Sequence, residues 1–171
     1  MIKRINLTII AIFLLLFSGC DAVLNGMYPE YDTSKFDSDK FDITIDLNVE
    51  NIKVNYDTNI KIALVPLTDD GMHIADINNI WFNDFWDTNY IHYAYEYLNK
   101  QKYLVFAFID RDGNGRPGFD EPSITLKHYT NYGEEEIFDF SYSEGEITLK
   151  AEGTIRDYIG IDRKWLDEFN Q

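Results

Sequence analysis

Cysteine is nearly absent: Cys20 stands alone, so no disulfide can close within the chain and no set of thiolates can hold zinc. Histidine is scarce as well. His73, His92 and His128 lie far apart, none with a second His or a Cys at ligand spacing, which argues against a zinc site. Basic residues number 15 against 30 acidic ones, for a formal net charge of −15. A chain this acidic repels phosphate backbones and anionic lipid surfaces, so nucleic acid is excluded as a partner and cations suit it better. There is no G-x-S-x-G, no P-loop and no dinucleotide fingerprint, which leaves no recognisable catalytic motif. The apolar run 7–17 is too short for a spanning helix.

What is present is enough to fold. The chain is 45% hydrophobic and 16% aromatic, too apolar for disorder despite its charge. Residues 1–19 combine Lys3 and Arg4, the apolar run and the small residues Ser18 and Gly19, the pattern of an export signal. Phe17-Ser18-Gly19-Cys20 resembles the lipobox of bacterial lipoproteins. That resemblance implies diacylation of Cys20, a lipid bilayer as partner and a place in the cell envelope; an ordinary secretory signal and an uncleaved anchor are the alternatives. With Cys20 acylated, no cysteine nucleophile remains. Asp21 resembles the inner-membrane retention signal of enteric bacteria, a rule that does not hold in every phylum, so the membrane stays open. Residues 20–40 are polar and turn-rich and suit a flexible linker, leaving 41–171 as the domain.

From residue 41 the pattern becomes that of strands. Phe41, Ile43, Ile45, Leu47 and Val49 alternate with polar residues, the period of a half-buried strand. Residues 60–67 form a second strand, more fully apolar. Residues 77–87 could place Ile77, Ile80, Trp81, Phe85 and Trp86 on one face of a short helix, the expected form, with an irregular loop packed on the core as the alternative. Strands at 90–98 and 102–109 are joined by three residues and read as a hairpin. Further strands fall at 123–130, 137–142 and 146–151, the last two joined by Ser143-Glu144-Gly145 as another hairpin. Residues 162–169 form a helical turn with Asp162 as N-cap, placed to cover an open sheet edge. The spacing predicts an all-β fold, an antiparallel β-sandwich with a short C-terminal helix.

The chemistry concentrates in residues 110–121, which satisfy the D-x-[DN]-x-[DN]-G-x5-E pattern of a calcium loop. Ca²⁺ takes six to eight oxygens, and alternate residues of a tight loop can supply them. Asp110, Asp112 and Asn114 would offer side-chain oxygens, Arg116 a backbone carbonyl and Glu121 both carboxylate oxygens, with Gly115 at the sharp turn and a water beside Gly118. Asp120 substitutes for Glu121 if the loop end is wound differently. The preceding residues 103–109 are a buried-strand sequence where an EF-hand has a helix. Pro117 lacks the N–H that would bond a partner loop. A paired EF-hand sensor is therefore excluded.

Tyr103, Val105, Ala107, Phe108 and Asp110 followed by Asp112-Gly113-Asn114-Gly115 and Glu121-Pro122 resemble the strand and loop of bacterial lipoproteins and secreted domains with an Ig-like or transthyretin-like β-sandwich. The resemblance spans about residues 59–130. It implies a calcium-stapled sandwich and no activity. One further cluster, Trp81, Phe82, Phe85, Trp86, Tyr90, Tyr93, Tyr95 and Tyr97, either fills the core or, if exposed, forms a surface for glycan or an envelope protein. The expected function is a membrane-anchored, calcium-binding, non-enzymatic structural or adhesion module. The alternatives are a glycan- or protein-binding accessory module and, third, a hydrolase.

Overall fold

The alternation at 41–49 forms β1 (Lys40–Val49), whose five apolar side chains are all buried. It is the central strand of a three-stranded sheet in the computed structural model, which describes residues 39–170. β4 (Tyr90–Leu98) pairs antiparallel with one side of β1, and β10 (Glu146–Ile155) pairs parallel with the other.

A six-stranded sheet lies against this one. Its centre is the antiparallel pair β2 (Asn59–Pro66) and β5 (Lys102–Ile109), with β3 (Trp81–Trp86) beside β2 at the edge. β6 (Ser123–Thr125) and β9 (Ile137–Asp139) share the far side of β5, and β11 (Ile159–Gly160) runs parallel to β6. β7 (His128–Thr130) and β8 (Gly133–Glu135) make a small hairpin.

The central strands of the larger sheet are buried on both faces, and that is why β2 and β5 read as almost unbroken apolar runs. On one face Ile60, Ile62, Leu64, Val105, Ala107 and Ile109 pack with the core residues of β1. On the other, Ala63, Val65, Leu104, Phe106 and Phe108 meet Trp165, Leu166 and Phe169 of α1 (Arg163–Phe169). The Phe106 and Phe169 rings meet edge-on with centroids 4.9 Å apart, and burying such a ring is worth about 1.5–3 kcal/mol. α1 begins as predicted, with the Asp162 carboxylate accepting the Lys164 N–H at 2.9 Å. It covers a face of the sheet, however, and not an edge.

The all-β sandwich with its short C-terminal helix is found, with two parallel pairings among the antiparallel ones. Neither predicted hairpin forms. β4 and β5 belong to different sheets, so residues 99–101 turn a corner between layers. Likewise β9 pairs with β5 while β10 pairs with β1. The helix expected at 77–87 is a single 3₁₀ turn, Ile77–Asn79, followed by strand β3; pairing with β2 overrides the helix-like spacing of the apolar residues.

The domain begins slightly before residue 41: the Lys40 N–H donates to the Gly145 carbonyl at 2.9 Å, and the Gly145 N–H donates to Asp39 Oδ1 at 2.6 Å. The expected leader, Cys20 and the linker as far as residue 38 lie outside the described residues. Among the described residues no helix is long and apolar enough to cross a membrane.

Candidate metal centre

β5 delivers the chain directly into the acidic loop. Its last residue, Ile109, donates its N–H to the Pro122 carbonyl at 2.9 Å, and the Asp110 N–H donates to the Asn59 carbonyl at 3.0 Å. The loop 110–121 is thus clamped at its base between two neighbouring strands. At its far side the Asn170 amide, one residue past α1, donates to the Pro117 carbonyl at 3.4 Å. Pro117, which cannot pair with a second loop, is instead buried against the domain.

Inside the loop Asp110, Asp112, Asn114 and Glu121 organise the backbone through their side-chain oxygens. Asp110 Oδ2 accepts the Gly115 N–H at 3.1 Å, and Asp112 Oδ1 accepts the Asn114 N–H at 3.0 Å. Asn114 Oδ1 accepts the Arg116 N–H at 2.6 Å. Gly115 has φ of 76°, the left-handed conformation that the turn expected at this position requires. Glu121 joins the two ends: Oε1 accepts the Arg111 N–H at 2.7 Å, and Oε2 accepts the Gly118 N–H at 2.8 Å. Burial pushes the Glu121 carboxyl above the usual carboxylate range, and these backbone donors oppose the shift.

The structure brings together three of the predicted side chains. Ligand oxygens of Asp110, Asp112 and Glu121 all lie within 4.8 Å of one another, the one such group of His, Cys, Asp and Glu among the described residues. Asp110 and Glu121 are buried and Asp112 is exposed. Asp120, the alternative to Glu121, is exposed and outside the group. Asn114 is also exposed, its amide nitrogen bonded to Asp112 Oδ2 at 2.7 Å. Arg116 takes part through its backbone N–H, and its side chain is exposed. Asp110 Oδ1 is buried without a hydrogen-bond partner. A buried carboxylate with an orphaned oxygen, grouped with two further carboxylates, suits a hard cation.

Three side chains at this end of the sheet were not anticipated. Register places Asn59, Lys61 and Asp84 beside Asp110 on the face that α1 covers further along: Lys61 is opposite Phe108 on one side and Asp84 on the other. The Lys61 ammonium contacts Asp84 and lies 3.9 Å from Asp110 Oδ2. Its proximity holds the Asp84 carboxyl below the usual range. Asn59 Oδ1 is a second buried oxygen without a partner. A lone lysine in the apolar run Ile60-Lys61-Ile62 is the signal that could have found this cluster. The Arg111 guanidinium is engaged elsewhere, with Asp157 at 2.9 Å.

The histidines sit in separate places: His73 bonds Glu168, His92 bonds Asp46, and the buried His128 bonds the Ile137 carbonyl. The aromatic cluster is divided. Phe85, Tyr93 and Tyr95 pack in the core between the sheets, and Phe82 packs on the α1 side. Trp81, Trp86, Tyr90 and Tyr97 are exposed. Tyr97 does not share the inward face of Tyr93 and Tyr95, because a bulge opposite Asp42 puts it at φ of 57° and shifts the pairing. A surface groove lined by Asp46, Lys127, Glu134 and Glu152 gathers carboxylates, each paired with a lysine. No protein-family model matches this chain, and no match is found among the curated proteins or the solved structures.

Proposed function

We propose that the loop 110–121 binds Ca²⁺ and that the domain is a calcium-braced, non-enzymatic structural or adhesion module. In this reading the chain is a bacterial lipoprotein held at the cell envelope through acylated Cys20, with a sandwich of the Ig-like or transthyretin-like kind. The observation that carries it is the buried Asp110 carboxylate with its unpartnered Oδ1, converging with Asp112 and Glu121. Calcium is preferred to magnesium because the loop offers many protein oxygens and some freedom of geometry. Bound there, the metal would supply the positive charge that offsets three crowded carboxylates. The chain supplies the rest: a clamped base, a turn at Gly115 and Glu121 bridging the two ends. Extracellular modules bind calcium at about 10⁻⁴–10⁻³ M, so a loop outside the cytoplasm would be filled constitutively and act as a brace.

Titration calorimetry of the full chain tests this. Wild type should bind one Ca²⁺ per chain and prefer it to Mg²⁺, and Asp110→Ala should bind neither. Equal binding by Asp110→Ala would remove the loop as the site. The exposed Trp81 and Trp86 on edge strand β3 favour a second reading, an accessory module for glycan or an envelope protein.

A further inference from the structure

We propose that Lys61 is the resident counter-cation of Asp110 and lowers the loop's affinity for a divalent cation, into the range that calcium outside the cytoplasm still fills. The inference rests on the loop being a cation site. Lys61 sits in a strand that is buried and apolar from Ile60 to Pro66 apart from itself, its side chain only 13% exposed. Asp84 anchors its ammonium, leaving it 3.9 Å from Oδ2 of a carboxylate whose side chain is 2% exposed. Oδ2 is already committed to the Gly115 N–H, while Oδ1 has no partner. A metal on Oδ1 would therefore share one carboxylate with an ammonium on its other side.

Two consequences follow from that geometry. Without metal, Lys61 balances the buried Asp110 charge, so the clamped base of the loop persists in the calcium-free protein. With metal, Asp110 would hold a second positive centre beside the Lys61 ammonium, and their repulsion would weaken binding. Arg111, the other cation at the loop's start, turns away to Asp157 and does not compete.

The test is calcium titration calorimetry on the purified full chain, comparing wild type with Lys61→Met, Lys61→Gln and Lys61→Arg. Both neutral variants should bind calcium about tenfold or more tightly, while Lys61→Arg, which keeps the charge, should stay within about threefold of wild type. If Lys61→Met packs too poorly to fold, Lys61→Gln carries the comparison. Neutral variants that bind within twofold of wild type, or more weakly, overturn the role of Lys61 and leave the cation loop standing. Tighter binding by Lys61→Arg as well overturns it too, because the effect would then come from shape. No binding by wild type would overturn the loop itself.

Discussion

Replacing Glu121 by Gln is the sharpest perturbation of the loop, because it keeps the shape and changes one oxygen for an amide nitrogen. In the native loop both oxygens are acceptors, for Arg111 N–H at 2.7 Å and Gly118 N–H at 2.8 Å, with Asp112 N–H at 3.5 Å a weaker third. Whichever way the amide turns, a donor faces one of the two close N–H groups. One short bond to a charged acceptor is lost, worth roughly 1.5–3 kcal/mol. Part of this returns, because the buried carboxylate is costly to ionise, as the upward shift of its pKa shows. A net loss of about 1–2 kcal/mol without metal remains, or roughly 3–8 °C in Tm for a domain of this size. Calcium at about 100 times its dissociation constant should add about 2.7 kcal/mol to wild type, roughly 10 °C, and nothing to the variant. Thermal melts by circular dichroism, in chelator and in calcium, measure both effects. A variant with the full calcium-dependent rise would refute Glu121 as a ligand, and an unchanged melt in chelator would refute its bridging role.

Two further outcomes test the scaffold. Phe169→Ala removes the ring that packs edge-on against Phe106 in the helix layer and should cost about 3–5 kcal/mol in urea denaturation; a loss below about 1 kcal/mol would mean that α1 is not a layer of the core. Asp46 accepts hydrogen bonds from Lys150, His92 and Tyr90, which hold its carboxyl far below the usual range. A depressed folded pKa contributes stability that is present above the unfolded value, about 3.9, and is lost as pH falls through the folded one. Asp46→Asn should therefore lower Tm near neutral pH by about 1–4 °C and flatten the acid limb below about pH 4. Parallel acid limbs in the two proteins would refute it.

Local pattern carried far in this chain. Alternation identified β1 and its buried face, and Asp162 marked the start of α1, because side-chain direction and capping are set within a few residues. The spacing from Asp110 to Glu121 placed the acidic side chains and the Gly115 turn for the same reason. Partnership was another matter. Backbone ladders bond through groups that every residue shares, so nothing in residues 90–109 said that β4 and β5 would enter different sheets. Residues 77–87 matched a helical period until β2 presented an edge to pair with.

The candidate site divides along the same line. Sequence alone determined which oxygens the loop offers and in what order, since twelve consecutive residues cannot be rearranged by distant contacts. Only the tertiary structure decided what surrounds Asp110. The registers of β2 with β3 and β5 bring Asn59, Lys61 and Asp84 to it from two strands, and Asn170, just past α1, bonds Pro117 from the far end of the chain. Charge and burial at a buried carboxylate depend on neighbours remote in sequence, and those neighbours exist only once the sheets have packed.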